Sequence, residues 1–345
     1  MMQPFLKEVG RGKRGSRDLT YDESIRVAEM IFNGTASQAQ IGAYLIAERM
    51  KMESMEEMIA FVDVCRSHSM IHPVPGSIDC AGPYDGRKKS FYATFPTAFV
   101  LCAMGIPVSL HSSPSLPPKN GLTLYDILQA LDIPPNNMHA ETLIEAAERT
   151  GFLFVPTEEW CPPLARLRGI RTEIGLRTLL NTVEKLIRFS DSPSMTVGIF
   201  HGTVFDKIVE LLRRTGVNNG LVVQGMEGSE DISVERRTRA LLVSEQQKEW
   251  LVIDPELLEL QINYPEVKWN ANLQAETILS VLKGNGDLAY YNTVLLNAGV
   301  RIWLCGKANS IEQGITQAKY VIDSGEALDQ YYNWKNAVKT LSMKL

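Results

Sequence analysis

The chain has 345 residues, 45% hydrophobic and 22% charged, with a formal net charge of −5 at pH 7. That length suffices for two domains or one large domain with an appendage, and the acidic balance excludes a surface built wholly for nucleic acid while leaving room for a local basic face. The five cysteines are odd in number and widely spaced, no apolar run nears the ~20 residues of a membrane span, and no signal-peptide stretch opens the chain, so a cytoplasmic protein without a membrane partner is expected.

Residues 1–18 combine Lys7, Arg11, Lys13, Arg14 and Arg17 with Gly10, Gly12 and Gly15. They read as a flexible basic arm, or more sharply as a nucleic-acid contact. Thr20 with Glu23 forms a capping box for a helix to about Asn33, Ser37 opens a second over Gln38 to Lys51, and Ser54 with Glu57 opens a third to about Ser67. Helices this short must pack on one another, so a helical domain is expected over residues 1–75, with residues 166–190 as a helical stretch placed to rejoin it. His68 and His72 have metal-pair spacing, but Pro73 and Pro75 end the helix and no third ligand is near.

From Ile78 the pattern changes. Strands are predicted at Ile78 to Ala81, Pro107 to Leu110, Phe152 to Val155, Thr196 to Phe200, Gly220 to Val223, Arg239 to Val243 and Glu249 to Ile253. Helices fall between them at Thr94 to Met104, Thr123 to Leu131, Ala140 to Thr150, Gly175 to Ile187 and Val204 to Thr215. A last helical region from Leu273 to Val338 is interrupted at Gly284-Asn285-Gly286. Short apolar strands alternating with helices predict an α/β domain over residues 76–345, with a mainly parallel, twisted sheet flanked by helices.

Four places suggest chemistry. Gly82 to Lys89 is a basic loop after a strand, where Arg87, Lys88 and Lys89 could face a phosphorylated ligand or simply be solvated. Leu110-His111-Ser112-Ser113 is a strand end followed by donors, with His111 a ligand contact or a structural hydrogen-bonder. Gln224 to Asp231 ends in Glu230-Asp231, which suit Mg²⁺ shared with substrate phosphates, or an acidic turn. Arg166, Arg168, Arg171 and Arg177 form a row able to orient a carboxylate or phosphate, or to pair with Glu173. The loop lacks GxGxxG and GxxxxGK[ST].

The chain resembles the anthranilate phosphoribosyltransferase family over most of its length. The stretches that carry the likeness include RDLTYDESIRVAEMIFNG, TAFVLCAMGIPVSLHSS, GFLFVP, RTEIGLRTLLN, LVVQGMEGSEDIS and NTVLLNAGVRIWLCGKANSIEQGITQAKYVIDSG. The resemblance implies a nucleoside phosphorylase/phosphoribosyltransferase-like architecture, a cleft between its two domains, and a homodimer through the helical domain. It also implies transfer of phosphoribose from phosphoribosyl pyrophosphate with Mg²⁺, by positioning and charge stabilisation. The family's GTGGD falls on Ala81-Gly82-Pro83-Tyr84-Asp85, and its NxST on Tyr92-Ala93-Thr94-Phe95. KHGNR keeps only His111, and Ser112 follows it. SSK keeps Lys119, the metal pair is reversed as Glu230-Asp231, and Arg171 matches the anthranilate contact. HPAMK is replaced by Glu159 to Leu164. KEVGRGKRGSRDLT, PYDGRKKSF and CPPLARLRGIRTEIGLR resemble a divergent, anthranilate phosphoribosyltransferase-like branch, which implies loss of the tryptophan-pathway activity and, in some members, nucleic-acid binding. The expected ligand contacts are Gly82, Asp85, Arg87, Lys88, Thr94, His111, Ser112, Lys119 and Arg171, with Glu230 and Asp231 for the metal. The alternative is single-stranded nucleic acid on Lys7, Arg11, Lys13, Arg14, Arg17, Arg87, Lys88 and Lys89, with Tyr84, Phe91 and Tyr92 stacking on bases or buried in the core.

Overall fold

The computed structural model describes residues 1–12, 14–244 and 247–342. Four helices come first: α1 (Gln3–Val9), α2 (Tyr21–Phe32), α3 (Gln38–Lys51) and α4 (Met55–Ser67). The last three start where the sequence signals fall. Thr20, Ser37 and Ser54 each accept the third backbone N–H, and Glu23, Gln40 and Glu57 reach back to the cap, so two orphan donors are satisfied at each start. The basic arm is a correction, because its first part is α1. Glu8 pairs with Arg11 at 2.8 Å and Arg17 at 3.0 Å, and Arg17 also holds Glu23 at 2.8 Å. Local carboxylates thus engage cations that a count of Lys and Arg leaves free; Lys13 lies outside the described residues.

The chain continues through β1 (Ile78–Ala81), α5 (Thr94–Ala103), β2 (Val108–Ser112), α6 (Leu124–Ala130), α7 (Ala140–Thr150) and β3 (Phe152–Pro156). Next come α8 (Thr157–Trp160), α9 (Pro162–Ile174), α10 (Leu180–Val183), β4 (Ser194–Gly198), α11 (Phe205–Arg214), β5 (Asn219–Val223), β6 (Thr238–Ser244) and β7 (Lys248–Ile253). Helices α12 (Ala271–Leu282), α13 (Leu288–Leu304), α14 (Ile311–Asp323) and α15 (Glu326–Ser342) close it. The predicted helix Gly175 to Ile187 is a second correction. Gly175 has φ +65° and caps α9 in the left-handed conformation, which leaves only α10 and a tight turn over Glu184–Leu186.

The seven strands lie in the order β3-β2-β1-β4-β5-β6-β7. From β3 to β5 neighbours run parallel, and β6 and β7 add antiparallel. Side chains alternate faces, as strand geometry demands. Phe152 and Phe154 of β3 join a core with α5, α13 and α15, whereas Leu153 and Val155 join the one shared with α2, α4, α9 and α11. The N-terminal helices therefore pack on one face of the sheet. From β1 the chain moves outward to β2 and β3, then returns to place β4 on the other side of β1. This reversal opens a crevice beyond the carboxyl ends of β1 and β4, where open α/β sheets take ligands. No helix among the described residues is long and apolar enough to cross a membrane.

Candidate functional site

At that reversal a cavity of about 200 Å³ is lined by Pro83, Tyr84 and Asp85 after β1, by Gly198 to His201 at the end of β4, and by Arg177, Asn181, Thr182 and Lys185. Lys185 projects from the turn after α10 and donates to the Gly198 carbonyl at 3.3 Å. Burial lowers its ammonium pKa to about 8, against the pull of Glu230 and Asp85. Arg177 grips Asp85 through Nε at 3.2 Å and Nη2 at 2.5 Å, and Lys119 stands 3.4 Å from the same carboxylate. Asp85 is thus neutralised by two cations, and Lys185 remains the cavity's uncommitted charge. Phe200, 53% exposed, stands at the rim beside His201, their ring centroids 4.8 Å apart.

The predicted residues divide into groups. Asp85 faces the cavity, and Lys119 staples the loops around it by donating to the carbonyls of Gly86 and Glu227, each at 3.0 Å. Gly82 lies beneath the Tyr92 hydroxyl, which would be 2.8 Å from any Cβ there. His111 is buried. Its Nδ1 meets the Tyr84 hydroxyl, which also bonds Thr157 Oγ1 at 2.7 Å, and its Nε2 lies 3.3 Å from Asp79 Oδ1. Ser112 is buried as well, its Oγ accepting from the Tyr125 N–H at 3.4 Å. Arg171 is bidentate on Glu184 at 2.6 and 3.0 Å and is 4% exposed, rather than paired with Glu173 or aimed at the cavity. Tyr84, Phe91 and Tyr92 are core residues, 4%, 2% and 4% exposed, so base stacking on them is corrected.

Arg87 does not face solvent either. It is buried, with Nη1 donating to Asp231 Oδ2, Nη2 donating to Glu230 Oε1 at 2.9 Å, and its guanidinium 3.9 Å from the centre of the Tyr92 ring. Thr94 closes the group: its N–H donates to Asp231 Oδ2 at 3.0 Å, and its hydroxyl contacts Asp231 Oδ1 at 2.7 Å and Glu230 Oε1. Arg301, from α13, lies 3.4 Å from Asp231. Burial alone would raise the Asp231 carboxyl, but Arg87 and Arg301 outweigh it and hold its pKa below the usual range. Glu230 and Asp231 are both fully buried. They present no open side on which Mg²⁺ could keep its waters. Among the described residues no cluster of three or more His, Cys, Asp or Glu is placed to hold a metal ion, and His68 binds Glu29 at 3.1 Å.

The loop carrying Lys88 also uses its donors internally. The N–H groups of Lys88, Lys89 and Ser90, with the Ser90 hydroxyl, all point at the Glu227 carboxylate at 2.8 to 3.2 Å. Converging backbone amides of this kind form an anion nest. The side chains of Lys88 and Lys89 stay exposed.

The fold and this arrangement define a glycosyl transferase-type protein of two parts. The description "Glycosyl transferase family, helical bundle domain" matches residues 3–69, and "Glycosyl transferase family, a/b domain" matches residues 79–328. The chain belongs to this anthranilate phosphoribosyltransferase-like family. It is 31% identical over 338 residues to an anthranilate phosphoribosyltransferase of Alkaliphilus metalliredigens, covering 96% of each chain. It is 27% identical to an uncharacterized protein of Aquifex aeolicus, covering 91% of this chain and 97% of the other. Among solved structures, the anthranilate phosphoribosyltransferase of Thermus thermophilus superposes with a TM-score of 0.81 at 24% identity, covering 97% of this chain and 98% of that one. The enzyme of Saccharomyces cerevisiae in complex with PRPP and Mg superposes with 0.83 at 16% identity, covering 98% of each. These last two likenesses concern the fold.

Proposed function

We propose that the chain binds a phosphorylated ribose-type ligand, of the class of phosphoribosyl pyrophosphate, in the crevice between β1 and β4, and that it is not an anthranilate phosphoribosyltransferase. The observation that carries the first half is Lys185, a half-buried ammonium facing a cavity at the sheet's reversal, with Arg177, Asn181 and His201 around it. A volume of about 200 Å³ is below the roughly 300–1,000 Å³ of drug-sized sites, which favours a ligand near the size of a pentose phosphate. The yeast relative's complex with PRPP and Mg supports the ligand class. The second half is supported by Arg171, both of whose terminal nitrogens are engaged by Glu184.

Calorimetric titration with ribose 5-phosphate and with phosphoribosyl pyrophosphate tests the reading. Binding is expected, weakened about tenfold or more by Lys185→Met, because a hydrogen bond to a charged group contributes about 1.5–3 kcal/mol. Affinity should fall as pH rises through about 8, where Lys185 loses its proton. The absence of heat with both sugars removes the first half. Product formed from anthranilate and phosphoribosyl pyrophosphate removes the second.

A second reading, single-stranded nucleic acid, draws on Lys88 and Lys89, whose side chains stand exposed on a loop whose backbone N–H groups donate to Glu227. A homodimer through the helical part is also proposed, supported by an apolar groove there lined by Pro4, Phe5, Ile25 and Met30.

A further inference from the structure

The loops after β1 and β5 neutralise each other's charges. Arg87 of the first sits between Glu230 and Asp231 of the second, and Glu227 of the second sits in the amide nest of the first. Arg87 and Arg301 each pair with a carboxylate here and Tyr92 lies over the Arg87 guanidinium, while Glu230 Oε2 and the Nε atoms of both arginines have no hydrogen-bond partner among the described residues. Two carboxylates and two guanidinium groups, each no more than 1% exposed, make a buried set whose formal charges cancel. Such a set leaves nothing for a divalent ion to neutralise, and breaking it would strand an uncompensated buried charge.

We infer that the ligand site works without a divalent cation, because the Arg87 guanidinium permanently holds the position between Glu230 and Asp231 that a metal would need. The metal half of this inference stands on the cluster alone. The consequence for the ligand, that its phosphate is held directly by Lys185 with no bridging ion, rests on the reading given under Proposed function. Removing Arg87 while keeping both carboxylates should create a metal site, since two facing carboxylates without a counter-charge attract Mg²⁺ or Mn²⁺.

The experiment is a Mn²⁺ titration of the full chain, read by loss of the free-ion paramagnetic resonance signal, on wild type, Glu230→Gln, Arg87→Ala and Arg87→Ala/Glu230→Gln. Wild type is expected to leave the signal unchanged, Arg87→Ala to take up about one ion per chain, and the double variant to take up none. Wild-type uptake that Glu230→Gln abolishes overturns the inference. So does an Arg87→Ala variant that folds yet binds no Mn²⁺. Should Arg87→Ala fail to fold, wild type and Arg87→Lys, which keeps a cation in place, decide: uptake dependent on Glu230 in either overturns it, and none in both supports it. In parallel, the dissociation constant for ribose 5-phosphate is measured in EDTA and in Mg²⁺. Equal values support direct binding, and a tenfold or greater gain from Mg²⁺ contradicts it. No binding in either buffer removes the ligand reading and leaves the Mn²⁺ result to judge the metal half alone.

Discussion

Glu48 is a buried carboxylate in α3 with no hydrogen-bond partner for either oxygen among the described residues. The nearby Lys51 ammonium is engaged at 2.6 Å by Glu57 and at 2.7 Å by Asp18, and stands 3.4 Å from Glu48. One cation thus serves three carboxylates. Burial first, and the charge of Glu57 second, push the Glu48 carboxyl up to about 8. The folded chain therefore keeps a proton that the unfolded chain releases near its ordinary value of about 4.3. More protons bound in the folded state means that stability falls as pH rises between those two values. Melting temperatures at pH 6 and pH 9 should drop more for wild type than for Glu48→Gln, by several degrees; parallel pH profiles would refute the assignment. At this scale the sequence was least informative. Lys185, inside TVEKLIRF, reads as an ordinary cation on a helix face, and only the return of β4 to the side of β1 brings it to a cavity. Arg87 is visible as a charge, but its partner Glu230 lies 143 positions away, beyond any local pattern.

The elements themselves were far more legible. All seven strands fall within a few residues of their predicted positions, because each is a short apolar run bounded by turn residues, and α2, α3 and α4 begin on their capping residues. The misreading at Gly175 to Ile187 has a local cause: one glycine serves equally well as a helix start or a left-handed stop, and composition does not distinguish them. Packing decides what holds the elements together. Trp334 of α15 is fully buried against Phe95, Phe99 and Phe152, with centroid separations of 6.2, 5.8 and 4.8 Å. It ties the last helix to α5 and β3. Trp334→Ala is expected to destabilise by about 3–5 kcal/mol in denaturant unfolding. Trp334→Phe should lose much less, because the indole N–H has no partner among the described residues and its removal gives up no hydrogen bond there. Equal losses from the two variants would show that the nitrogen matters more than the ring.

For the molecule as a whole, sedimentation velocity reads two proposals in one experiment. A dimer through the helical part gives a mass near twice the chain's 38.5 kDa, and a monomer at all concentrations excludes it. Adding a labelled oligonucleotide at several salt concentrations tests the second reading. With a net charge of −5 and Lys88 and Lys89 as the cations invoked, any complex should weaken as salt rises with the shallow slope of a few phosphate contacts; one indifferent to salt would not be held by those lysines.

The helices at the start of the chain share one apolar layer with a face of the sheet, through Leu153, Val155, Met195 and Val197. On the proposed reading, a small guest arriving at the strand ends meets a helical part and a sheet that already share a core. Less of its affinity would then be drained into organising the host.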